Sequence, residues 1–401
     1  MTSTRSAYRS HWGLNPDVTF LNHGSFGASP RVVLEAQRRL QDELESDPIR
    51  WLAPERDLEK KLDPVRERLS DFLGCRFEDL AFVRNATDGV NAVLRSFPFE
   101  ADDEILVTSH GYNACTNAAR FVAGRAGARV TVADIPFPCS GPDAAVEAIE
   151  AAFTSKTRLL LVDYVTSPTA LILPLARIIE AAHARGIRVL VDAAHAAGMV
   201  KVELDALGAD YTTGNLHKWL CGPKVAGYLH VRPEHQAEVR PTVISHAANT
   251  PRPARSRFLA EFDWTGTFDP TPLLAVPVAL DFLENVIHGG GIEAVYAANR
   301  ALALEGRRIL TSRLGLVAPA PEEMLGSIVT LPLPDGPPPE IGRTDTLGQR
   351  LFETHRIEVP IVHWPAPGKR WFRISAMLYN DATEYERLGD ALESELTLAT
   401  R

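Results

Sequence analysis

The chain has 401 residues, of which 45% are hydrophobic, and it carries a formal net charge of −9. This is the composition of a soluble globular protein, and the length exceeds the ~250–300 residues that one hydrophobic core serves, so two domains are expected. A negative charge without a block of lysine and arginine argues against partners such as nucleic acid or an anionic membrane.

The cysteines and the apolar runs indicate the compartment. Cys75, Cys115, Cys139 and Cys221 are scattered without a C-x-x-C pair, which argues against a disulfide framework and against a metal site built on cysteine. The N-terminal residues lack the apolar segment of a secretory leader, and no apolar run approaches the ~20 residues of a membrane span. We therefore expect a cytoplasmic protein.

Two amphipathic helices are predicted near the N-terminus. The first begins with Ser29 as its N-cap and Pro30 as its first residue, and it runs toward Glu45. The second ends at Gly74 and is indicated by apolar residues at intervals of four and three, namely Leu58, Leu62, Val65, Leu69 and Phe72.

Short aliphatic runs alternate with helical segments through the middle of the chain. The runs occupy residues 80–83, 105–107, 130–132, 159–165, 189–191 and 228–231. Continuous aliphatic strands separated by helices predict an α/β domain whose mostly parallel sheet is buried on both faces. In such a sheet, ligands bind at the carboxyl ends of the strands.

Past residue 270 the pattern changes. Two long helical segments flank three glycines, and a proline-rich stretch is followed by short strands and helices. We therefore predict three parts: an N-terminal arm with a substrate-side loop (1–28), a large α/β domain (29–272) and a smaller C-terminal α+β domain (273–401).

Two charged residues follow predicted strands in the segments VLVDAAHAAG and GNLHKWLCGP. Taken alone, Asp192 is equally well explained as a helix cap, and Lys218 is better explained as a surface lysine. Pyridoxal phosphate (PLP) requires a lysine that forms a Schiff base and a carboxylate that keeps the pyridine nitrogen protonated. Asp192 and Lys218 would supply both from adjacent strand ends.

A phosphate site is indicated where the strand ending at Val83 turns into a helix. The backbone N–H groups of Ala86 and Thr87 would lie at the N-terminus of that helix, where phosphates bind. An ordinary capped turn explains the same residues. Tyr112, after the next strand, could stack on a pyridine ring or be a half-buried loop tyrosine.

These residues lie in seven segments that run through nearly the whole chain: FLNHGSFGASP (20–30), FVRNATDGVNAVL (82–94), TSPTALILPL (166–175), VLVDAAHAAG (189–198), GNLHKWLCGPKVAGYLHV (214–231), WTGTFDPTPLLAVPVALDFL (264–283) and FRISAMLYN (372–380). By these segments and their order, the chain resembles the class V aminotransferase family of fold type I PLP enzymes, and within it the isopenicillin N epimerase-like branch. The resemblance implies a large PLP-binding domain with a mostly parallel central sheet flanked by helices, and a smaller C-terminal α+β domain.

The resemblance also implies roles for individual residues. Lys218 would carry PLP, Asp192 would hold the pyridine nitrogen and His195 would lie near the phenolic oxygen. The other cofactor contacts would be Ala86, Thr87, Tyr112, Ser167, Asn215 and His217, and Thr267 would reach the phosphate of the other subunit. The implied partner is therefore a second copy of the chain, in a homodimer with active sites at its interface.

Arg373 matches an arginine that holds the α-carboxylate of the substrate, and without the resemblance it would be an arginine on an edge strand. His23 and Ser25 fall in the substrate-facing loop of the family, although a glycine-permitted turn explains them equally well. The sequence departs from the family at Asn215, where a small residue or serine is usual, and at Ala170, where glycine is usual.

An amino-acid substrate would react through a Schiff base and a Cα carbanion, with Lys218 as the base. An epimerase or racemase needs a second acid or base opposite Lys218, and Tyr112, His23 and, with less support, His363 are candidates. A C–S lyase and an aminotransferase are the alternatives. A non-enzymatic PLP-binding regulator is a third alternative, but no DNA-binding segment of the kind such regulators carry is visible in the sequence. A cysteine desulfurase is disfavoured because no cysteine follows Cys221.

Overall fold

A computed structural model describes residues 6–250, 252, 254–340 and 344–399, so the outer ends of the predicted parts 1–28 and 273–401 lie outside the described residues. The strands are β1 (Thr19–Phe20), β2 (Leu80–Val83), β3 (Glu104–Thr108), β4 (Arg129–Ala133), β5 (Thr157–Asp163), β6 (Arg188–Asp192), β7 (Tyr211–Asn215), β8 (Gly227–Val231), β9 (Ile328–Pro332), β10 (Ile357–Glu358), β11 (Ile361–His363) and β12 (Arg370–Ser375). The α-helices are α1 (His23–Phe26), α2 (Arg31–Ser46), α3 (Pro48–Leu52), α4 (Glu59–Leu73), α5 (Ala86–Ser96), α6 (Asn113–Ala126), α7 (Pro142–Ala151), α8 (Leu175–His183), α9 (Leu204–Leu207), α10 (Arg257–Asp263), α11 (Thr271–Leu274), α12 (Val276–Asn285), α13 (Gly291–Leu314), α14 (Thr346–Glu353) and α15 (Ala382–Ala399).

The central sheet has seven strands in the order β2-β8-β7-β6-β5-β3-β4. Strands β4, β3, β5, β6 and β7 run parallel, and β8 is antiparallel to both of its neighbours. Strands β2, β3, β6, β7 and β8 are almost wholly buried, as expected for a sheet covered by helices on both faces. The predicted mostly parallel α/β architecture is confirmed.

Strand β7 was absent from the aliphatic runs that the sequence indicated, because it reads Tyr-Thr-Thr-Gly-Asn. All five residues are nevertheless buried. The hydroxyl of Thr213 donates a hydrogen bond to the carbonyl of Tyr228, which satisfies one of its buried polar groups. Hydrophobic patterning therefore finds the aliphatic strands and misses this polar one.

A second sheet has the antiparallel order β11-β12-β9, and helices α13 and α15 lie in the same C-terminal part of the chain. Strand β12 is its central strand. The prediction that Arg373 lies on an edge strand is therefore wrong: Arg373 faces Thr330 of β9, and its strand is bonded on both sides.

The N-terminal arm is tied to the C-terminal part of the chain by a two-stranded parallel sheet, β1 with β10. The backbone continues this attachment, because the N–H of Ser375 donates to the carbonyl of Leu21 over 2.9 Å. The arm then reaches the middle of the chain at Gly27, which has φ 69°. A Cβ atom there would lie 1.9 Å from the carbonyl oxygen of His217, so only glycine fits.

The two predicted N-terminal helices are present with one difference in capping. Helix α2 begins at Arg31 with Pro30 in the N-cap position, because the hydroxyl of Ser29 instead donates to the carbonyl of Gly222. Helix α4 ends at Gly74 in the left-handed conformation, as predicted. Among the described residues, no helix has the length and apolar character needed to cross a membrane.

Candidate active site

Lys218 lies in the loop that joins β7 to β8, at the carboxyl end of β7. Its Nζ is 3.1 Å from Nε2 of His195. Burial, and secondly the charge of Arg373, lowers the pKa of Lys218 from 10.5 to about 8, while Asp192 and Asp163 act in the opposite direction. Near neutral pH the side chain therefore has an accessible neutral form, which is the form that attacks a carbonyl group.

The adjacent Trp219 fixes the tautomer of His195. The indole N–H of Trp219 donates to Nδ1 of His195 over 3.2 Å, and an indole has no acceptor nitrogen to offer. Burial keeps the pKa of His195 well below 6.5, so the ring is neutral and its one proton is on Nε2. That N–H points at Lys218, and the contact is satisfied when Nζ accepts as a neutral amine.

Asp192 ends β6, beside the lysine loop. One carboxylate oxygen accepts from the thiol of Cys115 at 3.1 Å, and the other accepts from the backbone N–H of Ala194 at 3.0 Å. Burial raises the pKa of Asp192, whereas the two hydrogen bonds and Lys218 lower it. A protonated ring nitrogen next to this buried carboxylate would supply it with a positively charged partner.

A second buried carboxyl group, Asp163, was missed by sequence reasoning. It ends β5 and is in register with Asp192 on the neighbouring strand. Burial, together with the charge of Asp192, raises the pKa of Asp163 well above 3.8, and the backbone N–H of Tyr112 donates to it. Two like charges on neighbouring buried residues disfavour simultaneous ionisation, which favours the neutral form of Asp163.

The N-terminus of α5, where Ala86 and Thr87 are predicted to bind phosphate, is capped by asparagine side chains. The backbone N–H of Ala86 donates to the side-chain oxygen of Asn215 over 2.9 Å, so it is already occupied. Asn85 accepts from the N–H of Asp88, which leaves the Thr87 N–H without a partner among the described residues. Phosphate binding by the Ala86 N–H would require Asn215 to move, whereas Thr87 is available as predicted.

The other predicted cofactor contacts, His217, Tyr112 and Thr267, differ in their burial and in their bonding. His217 contacts the carbonyl of Ala226 over 3.3 Å, and burial lowers its pKa to about 4, so it is neutral near pH 7. Tyr112 caps α6 and is 45% exposed, so its ring is open to a ligand. Thr267 is exposed in the loop between α10 and α11, and no bond joins it to this cluster. Its predicted role on a second subunit stays a prediction.

Arg373 is a buried guanidinium group without a carboxylate partner among the described residues. One terminal nitrogen donates to the carbonyl and the hydroxyl of Ser167, at 2.6 and 3.0 Å, and the other donates to Ser25 over 3.3 Å. Its Nε has no partner, and burial lowers its pKa to about 10. A buried cation with an unused donor is costly unless an anion completes it, which suits a substrate carboxylate.

The structure does not support His23 as a free acid or base. Its Nδ1 is 2.9 Å from the hydroxyl of Tyr379, and its Nε2 is 3.0 Å from the carbonyl of Lys218. The side chain is wholly buried, and burial lowers its pKa to about 3. His23 therefore supports the backbone of Lys218, which corrects the prediction that it faces the substrate.

His363 is occupied in the same way. Its Nε2 bonds to Asp345, and its Nδ1 accepts from the backbone N–H of Gly368 over 3.1 Å.

The backbone at Ala170 accounts for one departure from the family pattern, because its φ of 63° is the conformation in which glycine is usual.

These features fit PLP group by group. Lys218 could form the Schiff base, Asp192 could hold the pyridine nitrogen, and Thr87 could donate to the phosphate at a helix N-terminus. Arg373 adds an anion site next to the lysine. A mostly parallel α/β sheet with these groups at the carboxyl ends of its strands defines a PLP enzyme of fold type I.

Comparisons with known proteins identify the family. The family model Aminotransferase class-V matches residues 22–388. Isopenicillin N epimerase of Amycolatopsis lactamdurans is 36% identical over 401 residues, covering 96% of this chain and 97% of that protein. The probable chloroplastic L-cysteine desulfhydrase of Arabidopsis thaliana is 29% identical over 407 residues, covering 94% of this chain and 83% of that protein.

A solved structure of a C-DES mutant, with glycine covalently linked to its PLP cofactor, has a TM-score of 0.79 at 21% identity and covers 94% of this chain and 96% of that one. The chain belongs to the class V aminotransferase family and uses PLP as its cofactor. The predicted family, fold class and cofactor are thereby confirmed.

Proposed function

We propose that this protein is an epimerase or racemase that inverts the α-carbon of an amino-acid substrate. Bound PLP supplies an electron sink for a bond broken at that carbon. The observation that carries the proposal is the guanidinium of Arg373, which is buried, has no carboxylate partner within the described part of the chain, and lies near both Lys218 and Tyr112. The full-length similarity to an isopenicillin N epimerase supports the same choice.

Arg373 would orient the substrate by its α-carboxylate. The guanidinium has two edges, and its hydrogen bonds to Ser167 and Ser25 fix the plane of the group. A planar guanidinium can donate two parallel hydrogen bonds to a carboxylate. This bidentate contact would restrict the rotation of the substrate about its carboxyl carbon. The α-carbon would thereby be held between two proton-transfer groups, one on each face.

Lys218 would remove the α-proton on its own side. The Nε2–H of His195 stabilises a neutral Nζ, and a pKa of about 8 keeps that form available near physiological pH. Tyr112 would exchange the proton on the other side, because His23 and His363 have both ring nitrogens occupied. Tyr112 is the sole remaining member of the three predicted candidates.

One observation favours β-elimination by a C–S lyase as a second candidate. With two of the three predicted opposite-side groups occupied, Lys218 is the best-formed base of the site, and elimination needs a single base. The similarity to a probable L-cysteine desulfhydrase supports this candidate as well.

Isotope exchange in D₂O separates the candidates. The PLP-loaded enzyme is incubated with single enantiomers of amino acids and with cysteine conjugates, and the products are followed by NMR and chiral chromatography. Epimerisation is expected to place deuterium at Cα and to form the other enantiomer without loss of amino acid. Pyruvate and ammonia would instead establish the lyase, and a keto acid with the cofactor in its amine form would establish an aminotransferase.

Two variants assign the two proton-transfer groups. In Tyr112→Phe, deuterium is expected to enter Cα through Lys218 with retention, while inversion falls by about 100-fold or more. Lys218→Ala should stop both exchange and inversion. Inversion at the wild-type rate in Tyr112→Phe would remove Tyr112 from the mechanism.

The attachment of PLP to Lys218 has its own test. Borohydride reduction of the loaded enzyme should fix the cofactor to one peptide, and mapping should place it on Lys218. Label on another lysine would contradict the proposal.

We also propose that the protein is a homodimer and that it is located in the cytoplasm. The side chains of Val225, Val243 and Ile244 are 56%, 44% and 59% exposed. Val225 and Val243 line a pocket of about 620 Å³ beside the N-terminus of α5. Large exposed apolar side chains grouped at one pocket suit burial against a second copy of the chain.

Light scattering tests the dimer, for which a mass near twice 43.9 kDa is expected. Ile244→Lys should shift the mass toward that of one chain. Val317→Lys, at a side chain that is 83% exposed in another part of the chain, should leave it unchanged. A monomeric wild type would refute the proposal.

A further inference from the structure

A cluster of three potential metal ligands lies at the edge of the central sheet opposite the carboxyl ends that carry Lys218. Asp79 directly precedes β2, Asp205 belongs to α9, and His230 belongs to β8. His230 is in register with Leu80, the first residue of β2, whereas the last residue of β2 leads into α5 and the candidate active site. The cluster is therefore separate from the cofactor site.

The spacing of the cluster suits a single ion. The three candidate ligand atoms lie within 4.8 Å of one another, and His230 Nε2 is 3.3 Å from Asp205 Oδ1. A tetrahedral zinc ion ~2.0–2.1 Å from nitrogen and oxygen ligands separates any two of them by about 3.3 Å. The His230–Asp205 pair already has this separation, and the carboxylate of Asp79 lies within 4.8 Å of both.

His230 provides a second, independent indication of a ligand. The residue is 2% exposed, its Nδ1 has no hydrogen-bond partner among the described residues, and its Nε2 has only the 3.3 Å contact with Asp205 of the same cluster. Its register partner on β7, Thr212, points to the same side of the sheet, and its hydroxyl is also buried without a partner. Buried polar groups without partners are rare, so an ion, or water bound to it, would resolve both.

The charges of the cluster lead to the same conclusion. Asp79 is 2% exposed. Its hydrogen-bond donor is Gln236, which is neutral, and Arg76 is 3.8 Å away on the solvent side. Two carboxylates and an imidazole grouped within 4.8 Å form a donor set that zinc accepts.

We propose that Asp79, Asp205 and His230 bind one divalent transition-metal ion of the zinc class, with water as the fourth ligand. The ion would join the start of β2, the short helix α9 and strand β8, and it would stabilise the fold without taking part in the reaction. The sequence did not indicate this site because its ligands come from three distant segments with no metal-binding spacing.

Zinc titration of the PLP-loaded enzyme, after removal of metals by a chelator, tests the proposal. One zinc ion per chain is expected by calorimetry and elemental analysis, with a rise in the melting temperature and no change in PLP absorbance. Cobalt should give the visible spectrum of a tetrahedral N,O site. Absence of zinc binding would mean that the cluster holds water alone and would overturn the proposal.

Asp205→Asn is the main variant, because Asp205 is exposed and its substitution leaves the core intact. Zinc affinity should fall at least tenfold in Asp205→Asn and in His230→Gln. The control is Asp71→Asn, an equally exposed carboxylate nearby on α4 that is outside the cluster, and its affinity should equal that of the wild type. Unchanged zinc affinity in Asp205→Asn, or an equal loss in Asp71→Asn, would place the ion elsewhere.

Discussion

Arg373 is the residue at which substrate recognition can be separated from chemistry at Cα. Arg373→Lys keeps a positive charge and removes the planar pair of donors. We expect kcat/KM to fall about 10- to 100-fold, mainly through KM, because a charge-assisted hydrogen bond contributes ~1.5–3 kcal/mol. Steady-state kinetics on an accepted amino acid measures this.

The matched control for that substitution lies on the same strand. Arg370 donates to the carbonyl of Pro334 and lies 3.8 Å from the carboxylate of Asp345, and no hydrogen bond joins it to Ser167. Arg370→Lys should keep kcat/KM within about twofold, as expected for a side chain outside the site. Equal losses in the two variants would mean that β12 tolerates neither change and that carboxylate binding is not the cause.

Trp219 is expected to control the proton on Lys218. In Trp219→Phe the imidazole of His195 is free to take the other tautomer, whose Nε2 accepts from an ammonium group, so the pKa of Lys218 should rise from about 8. The neutral amine forms as pH rises through that pKa. The pH midpoint for PLP loading of the apoenzyme should therefore shift upward by about one unit.

Stopped-flow measurement of PLP loading across pH 6–11 tests the Trp219 prediction. Trp371→Phe is the control, because it removes another indole N–H, which donates to the carbonyl of Trp364. An unshifted midpoint in Trp219→Phe would show that the indole does not set the protonation of Lys218.

Among individual residues, the sequence patterns identified Asp192 and Lys218 but not the residues around them. Asp192 was recognisable because a charge directly after an aliphatic strand conflicts with burial, and Lys218 because a lysine before a Gly-Pro turn is an unusual choice for packing. Asp163 has the same signal as Asp192, because it directly follows a run of aliphatic residues, and it was overlooked. Cys115 and Trp219 have no such signal, since a cysteine or tryptophan in an apolar segment is ordinary packing. Their roles arise from strand register and loop geometry, which spacing along the chain does not encode.

The N-terminus of helix α5 depends on a residue from another element. Asn215→Ala would leave the buried N–H of Ala86 without its acceptor. The free energy of unfolding should fall by about 1–3 kcal/mol, the cost of an unsatisfied buried donor. Urea denaturation of the apoenzyme measures it.

Asn91→Ala provides the comparison within the same helix. The amide of Asn91 donates to the carbonyl of Thr87 and does not contact the sheet. Its loss should stay within about 0.5 kcal/mol, the range of substitutions away from special features. A similar loss in both variants would assign the effect to helix propensity instead of capping.

Among the strands, the sequence predicted those whose buried residues are aliphatic. Strands β2, β3 and β6 were found to within one residue at each end, whereas β7 was not. The same limit applies to the end of β7, since a polar cap such as Asn215 has the composition of a loop. Sequence patterns therefore located the sheet and left the polar strand next to Lys218 undefined.

For the whole molecule, Gly27 is the point where the N-terminal arm contacts the lysine loop. In Gly27→Ala the new Cβ would overlap the carbonyl of His217, so the arm or the loop must move. Because the Cα of Lys218 is 2.9 Å from the same position, we expect PLP affinity to fall at least tenfold. Fluorescence titration of the apoenzyme with PLP checks this.

Gly124→Ala is the control for the arm, because a Cβ there meets no atom within 4 Å and lies in helix α6. It should leave PLP affinity unchanged and should slightly stabilise the helix. Wild-type affinity in Gly27→Ala would show that the arm can retreat without disturbing Lys218.

The pairing of β1 with β10 sets the order in which a newly made chain can become an enzyme. Strand β1 precedes its partner, Ile357–Glu358, by more than three hundred residues, and Arg373 follows that partner, so β1 leaves the ribosome long before either of them. The sheet that carries Lys218 and Asp192 is complete at Val231, more than a hundred residues earlier. A nascent chain therefore has the candidate PLP-binding groups before it has Arg373 and before its N-terminal arm can dock.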